Sequence, residues 1–134
     1  MSRILKGFFK LARLDRPIGI WLIFWPALAT LLATTQGQNF AKNLFIIIIG
    51  SIVVRSLGCV INDVFDRNID SKVARTKNRP IAAGQISVFE ALTFFVFLSL
   101  IVILLLIHTN FHTLLISLCF GLLIIIYPLM KRIF

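Results

Sequence analysis

Apolar residues in this chain come in blocks of membrane-crossing length, separated by polar connections. Residues 17–35, 44–61, 88–107 and 111–129 are almost continuously apolar, 18 to 20 residues in each block. At 1.5 Å per residue, a helix of that length crosses a hydrocarbon core of about 30 Å. The pattern predicts four transmembrane spans. Ahead of them, residues 1–16 interleave Ile4, Leu5, Phe8, Phe9 and Leu11 with lysines and arginines. That is the pattern of a partly amphipathic arm lying on an anionic leaflet. Residues 36–43 read as a short outer turn, His108-Thr109-Asn110 as a tighter one, and residues 62–87 as the long connection. The expected organisation is a basic arm over 1–16 and a transmembrane helical region over 17–134. Its fold class is all-α, a polytopic helical bundle.

Local signals refine this division. Asn78-Arg79-Pro80 and Gly84 mark turns inside the long connection. Ser87-x-x-Glu90 matches a capping box opening the third span, which accounts for Glu90 structurally. Asp15, just before Arg16-Pro17, reads in the same way as a helix cap. The first block has a basic flank and an Ala27-Leu28-Ala29 triplet, as a signal peptide would. Its length, Trp21 and Trp25, and the regular alternation after it favour an uncleaved span. Cys59 and Cys119 lie inside apolar blocks without disulfide or metal spacing and read as buried small residues. His108 and His112 flank an outer turn with no acidic partner and read as interfacial histidines. No internal repeat is present.

Composition agrees: 59% of residues are hydrophobic and mean hydropathy is +0.98, well above the roughly 45–50% apolar share of soluble domains. The net charge of +9 would suit nucleic acid, but its distribution argues against that partner. Twelve of the 14 basic residues fall before the first span, between the second and third, or after the fourth. The positive-inside rule reads these alternate connections as cytoplasmic. The expectation is an integral membrane protein, in contact with the lipid bilayer, with both termini cytoplasmic and no nucleic acid bound.

Against this background the acids stand out. Three of the five fall in Asn62-Asp63-x-x-Asp66-x-x-x-Asp70, beside a span where ionisable groups suggest function. At about 100° per residue, Asp66 lies roughly 40° from Asn62, Asp70 about 80° and Asp63 about 100°. If the helix persists that far, one face presents an amide and three carboxylates. Arg55 falls about 20° from Asn62 on the same wheel, with Ser51, Gly58 and Cys59 close by. A small or polar stripe therefore leads to the acids, and Arg55 should face a bundle interior or aqueous cavity with an anion as partner. Oxygen ligands without His or Cys favour Mg²⁺ or Ca²⁺ over zinc, and no EF-hand spacing exists. Lys72, Arg75, Lys77 and Arg79 suit phosphate oxygens. A metal-bridged diphosphate fits this mixture; the plainer reading is a solvated loop whose acids balance its bases.

Larger pieces of the sequence carry a resemblance. The run from Arg55 through Asn62, Asp63, Asp66 and Asp70, then Lys72-x-x-Arg75-Thr-Lys-Asn-Arg79-Pro80 and Gly84-x-Ile-Ser87, resembles the UbiA family of membrane prenyltransferases. The opening Arg13-Leu-Asp-Arg-Pro17-Ile-Gly-Ile-Trp-Leu-Ile-Phe-Trp25-Pro26 and the late Tyr127-Pro-Leu-Met-Lys131-Arg132 look like its 4-hydroxybenzoate polyprenyltransferase branch. The resemblance implies a helical bundle around a cavity that takes polyprenyl diphosphate, Mg²⁺ and 4-hydroxybenzoate, in ubiquinone biosynthesis. It implies that Asn62, Asp63, Asp66 and Asp70 hold metal, and that Arg55, Arg79, Lys131 and Arg132 contact the diphosphate or aromatic acid. Asp66, Asp70 and Arg132 would serve the reaction most directly: loss of diphosphate to an allylic cation, then attack by the ring ortho to its hydroxyl.

The family has nine transmembrane helices and a second aspartate motif, whereas this sequence shows four spans and one motif. The expectation is therefore an amino-terminal part, inactive alone, whose partner would be a separately encoded carboxy-terminal half. The competing readings are a non-enzymatic small membrane protein or gene remnant that at most binds metal–diphosphate, and a transporter using Arg55 and the acids.

Overall fold

The structure, a computed structural model, describes the backbone of residues 3–34 and 39–133 and the side chains of residues 4–34 and 39–130. Its elements are all helices: α1 (Arg3–Leu11), α2 (Ile18–Thr34), α3 (Phe40–Asp70), α4 (Val88–Ile107) and α5 (Phe111–Ile133). Three are long and apolar enough to cross a membrane: α3, α4 and the Phe111–Met130 part of α5. The apolar α2 has 17 residues, about 26 Å of helix, so the bundle has about four spans. The all-α expectation holds. Part of the outer turn expected over 36–43 lies outside the described residues.

α3 organises the rest, packing against α1, α2, α4 and α5. Its 31 residues amount to about 46 Å, some 16 Å more than a hydrocarbon core needs. The helix runs unbroken through Asn62 to Asp70, so the whole acidic cluster is helical and the connection shrinks to 71–87. Burial follows the helical phase: Asp63, Asp66 and Asp70 are buried, whereas Arg67, Asn68 and Ile69 are exposed.

The tightest packing lies on one side of α3. Val53, Val60 and Val64 meet Ala91 and Leu98 of α4, Leu11 of α1, and Ile81 and Ile86 of the connection. The arm thus docks on the bundle as well as facing outward. Gly7 sits where a Cβ would come within 3.0 Å of Ile86 Cδ1, and the Phe8 and Phe94 rings lie 4.9 Å apart. Ile4, Leu5 and Phe9 remain exposed on the opposite face. The hydroxyl of Ser56 reaches the carbonyl of Ala12 (3.3 Å) and that of Ile52 (2.8 Å), fixing the end of α1 to α3. Arg13 then takes a left-handed conformation, φ 57°, and the chain turns into α2.

The Ser87–Glu90 capping box forms as expected: Glu90 N–H donates to Ser87 Oγ (3.1 Å), and Ser87 N–H to Glu90 Oε2 (2.7 Å). Two expectations need correction. Asp15 does not cap α2; its carboxylate lies on an exposed turn, 3.9 Å from Arg16 Nε. The first turn of α2 is set by Pro17, whose carbonyl accepts from the N–H groups of Ile20 and Trp21; a fixed φ pre-forms that turn without a side-chain cap. Cys119, expected to be buried, is exposed, while Cys59 is buried; both thiols are free. Much of α5 faces outward in this chain, and Cys119 falls on that outer surface.

Candidate functional site

On the other side of α3, the helices leave a cavity of about 590 Å³ between α2, α3 and α5. Gly58 contributes no side chain there, and Ile124 of α5 would lie 3.8 Å from a Cβ at that position. The cavity has two characters. Arg13, Arg55, Asp63 and Arg79 line it with charge and Asn62 with a neutral amide, whereas Ile23, Val54, Phe120, Leu123 and Ile124 line it with apolar surface. Cys59, Tyr127 and Pro128 complete the lining. Such a space suits a molecule with an anionic head and an apolar tail.

Asp63 is the electrostatic centre. It is 1% exposed, and its Oδ1 accepts from Arg13 Nη2 at 3.3 Å and from Arg79 Nη1 at 3.1 Å. The same Arg79 Nη1 donates to Asp70 Oδ2 at 2.7 Å. Arg79 therefore bridges two carboxylates seven positions apart on α3. A buried carboxylate without a counter-charge is costly, and removing one partner of such a pair typically costs about 3–5 kcal/mol. Two cations on one oxygen meet that requirement for Asp63. Its second oxygen, Oδ2, is buried without a hydrogen-bond partner, as is Oδ1 of the neighbouring Asn62. Buried acceptors without donors are uncommon; here both belong to residues that line the cavity.

The sequence-predicted residues divide accordingly. Asn62, Asp63, Arg55 and Arg79 meet at the cavity. Asp70 joins them through Arg79 rather than by lining the cavity, and buried Asp66 lies on the same helix outside the lining. Among the described residues, no three His, Cys, Asp or Glu side chains converge in a way that could hold a metal ion. The side chains of Lys131 and Arg132 lie outside the described residues. His108 and His112 are exposed at the opposite end of the bundle.

Two contributors were not assigned to the site from the sequence. Arg13 is one: its cationic type was counted toward topology, and nothing in local spacing reveals a partner fifty positions away. Gly19 is the other. It is buried under Arg55, and a Cβ built on it would lie 2.6 Å from Arg55 Cζ. The missing side chain gives the guanidinium room to lie along α2. The available signal was the Gly19 interruption in an otherwise bulky apolar run.

The chain matches the model of the UbiA prenyltransferase family over residues 23–134. It is 45% identical over 132 residues to a 4-hydroxybenzoate octaprenyltransferase of Shewanella amazonensis, an alignment covering 98% of this chain and 46% of that protein. It is 49% identical over 127 residues to a 4-hydroxybenzoate octaprenyltransferase of Pseudomonas aeruginosa, covering 93% and 42%. A third protein of that name, from Ectopseudomonas mendocina, is 46% identical over 125 residues, covering 93% and 42%. The chain thus spans less than half the length of these relatives. No solved structure matches it significantly.

Proposed function

Because the chain belongs to the UbiA prenyltransferase family, we propose that its residues bind the diphosphate end of a polyprenyl diphosphate for Mg²⁺-dependent transfer to 4-hydroxybenzoate in ubiquinone biosynthesis. The transfer reaction is assigned to a protein of the relatives' length, and residues 1–134 supply one wall of its site. The observation that carries this reading is the cavity itself, charged at Arg55, Asp63 and Arg79, polar at Asn62 and apolar at Phe120, Leu123 and Ile124.

The donor set suits a hard cation completed by substrate oxygens. Asn62 Oδ1 and Asp63 Oδ2 are buried oxygens without partners, and Mg²⁺ commonly takes only one or two carboxylates plus phosphate and water. Bound there, Mg²⁺ would neutralise charge developing on the departing diphosphate. Arg55 and Arg79 bring guanidinium donors for phosphate oxygens, with Lys131 and Arg132 as further contacts from the end of α5. Asp66 and Asp70 support the metal from the same face of α3. The apolar wall then holds the prenyl chain away from water, so that the phenol ring rather than solvent meets the allylic carbon. In this reading the acidic end of α3 and the 71–87 connection face the cytoplasm of a bacterial inner membrane.

Two measurements test it. Residues 1–134 in lipid nanodiscs should bind geranyl diphosphate with Mg²⁺ and lose most of that binding with EDTA. In membranes carrying the protein at its relatives' length, transfer of labelled prenyl groups to 4-hydroxybenzoate should require Mg²⁺ and collapse with Asp66→Ala. Transfer that survives both changes would remove the metal role. Binding indifferent to EDTA would point instead to a purely cationic pocket.

A further inference from the structure

Arg79 occupies the carboxylates that the proposed metal site would use. Its Nη1 donates to Asp70 Oδ2 at 2.7 Å and to Asp63 Oδ1 at 3.1 Å, so one guanidinium nitrogen holds both acids. The residue carrying it belongs to the 71–87 connection, not to a transmembrane helix. That connection is anchored on both sides of Arg79. Thr76 Oγ1 donates to the carbonyl of Asp70 (3.1 Å) on one side, and Ile81 and Ile86 are buried in the core on the other. Lys72, Arg75 and Lys77 are exposed between α3 and Arg79.

From this geometry we infer that Arg79 is an exchangeable counter-ion: it holds Asp63 and Asp70 until a divalent cation replaces it, and its guanidinium then passes to the diphosphate. The inference rests on the metal–diphosphate reading above. Three features make the exchange physically reasonable. Arg13 stays on Asp63 Oδ1 at 3.3 Å, so the buried carboxylate keeps one cation when Arg79 departs. Asp63 Oδ2 is already without a partner, so an incoming cation has one oxygen to reach before any ion pair opens. Arg79 also lines the cavity, so its move to a phosphate oxygen is a reorientation within the same space. Each charge finds a partner at both ends of the exchange: carboxylate with arginine before, carboxylate with metal and arginine with phosphate after. The consequence is coupling. A cation alone must displace Arg79 into water, whereas a cation with diphosphate supplies the guanidinium with a new anion.

The exchange makes a prediction of opposite sign for the two ligands. Mn²⁺ binding to residues 1–134 in nanodiscs can be read by electron paramagnetic resonance, with inorganic diphosphate as the second probe and no turnover required. A cation that completes its carboxylate ligands only when Arg79 withdraws binds with an affinity reduced by the fraction of chains in which it has withdrawn. With a minor state of about 0.1–10%, Arg79→Ala should tighten Mn²⁺ binding without diphosphate by roughly tenfold or more. The same variant should weaken diphosphate binding in the presence of Mn²⁺. Arg79→Gln, which keeps the side-chain stem, should behave likewise and guards against a fold defect, checked by helical circular dichroism. In the wild-type chain, Mn²⁺ alone should accelerate tryptic cleavage at Lys72, Arg75 and Lys77, and added diphosphate should slow it again. Unchanged or weaker Mn²⁺ binding in both variants would overturn the exchange while leaving the metal site standing, as would cleavage indifferent to Mn²⁺. A wild-type chain that binds no Mn²⁺ even with diphosphate would overturn both the metal reading and the exchange.

Discussion

Arg55 lines the cavity and lies against Gly19, outside the acidic motif. The guanidinium lies where a side chain on Gly19 would stand, 2.6 Å from that notional Cβ to Arg55 Cζ. Because the obstructing atoms are the end of a flexible side chain, Gly19→Ala should shift Arg55 rather than unfold the bundle. A hydrogen bond to a charged group contributes about 1.5–3 kcal/mol, so diphosphate affinity should fall by roughly ten- to a hundredfold, with thermal stability in detergent nearly unchanged. Loss of stability with unaltered binding would make Gly19 a packing residue only. At this scale the sequence was partly legible. Helical phase placed Arg55, Asn62 and Asp63 on one stripe because phase is a local property of the backbone. The Arg13–Asp63 pair was not, since charge type does not specify a partner across fifty positions.

Among the elements, α3 and α4 illustrate opposite kinds of ending. α4 starts at a reciprocal cap between Ser87 and Glu90, and four residues of sequence suffice to specify it. Ser87→Ala should lower stability by about 1 kcal/mol, read as an earlier unfolding midpoint in detergent. Diphosphate binding should be untouched, because neither cap residue lines the cavity. A loss of binding comparable to that of Asp63→Ala would contradict the purely structural role. α3 instead overshoots the apolar block by nine residues and ends only at Asp70. Hydropathy marks where lipid stops, not where helix stops. Periodicity could only state the condition that the helix continue, and backbone hydrogen bonding meets it. Conversely, Asp15 had the composition of a cap and the wrong geometry, since Pro17 already sets the first turn of α2.

At the level of the molecule, the bundle is asymmetric about α3. One side is filled by α1, α4 and Ile81 and Ile86 of the 71–87 connection; the other, between α2 and α5, holds the cavity, and α2 exposes apolar residues such as Ile18 at 75% and Leu22 at 72%. The charge pattern predicts a sidedness that can be measured. In a chain carrying Cys59→Ala and Cys119→Ala, an impermeant thiol reagent should label Ser71→Cys only from the cytoplasmic side. It should label His108→Cys only from the opposite side. The reverse result would invert the topology. Length and hydropathy by themselves determined a helical membrane bundle of about four spans, and helical phase the stripe on which Arg55, Asn62 and Asp63 lie, because these depend on burial in lipid and on local periodicity. Which cation meets which carboxylate depended on where separate segments dock. The close of α1 by Ser56, the left-handed turn at Arg13 and the packing of Ile81 and Ile86 bring two arginines onto Asp63. Those contacts join positions distant in sequence, and only the tertiary structure could decide them.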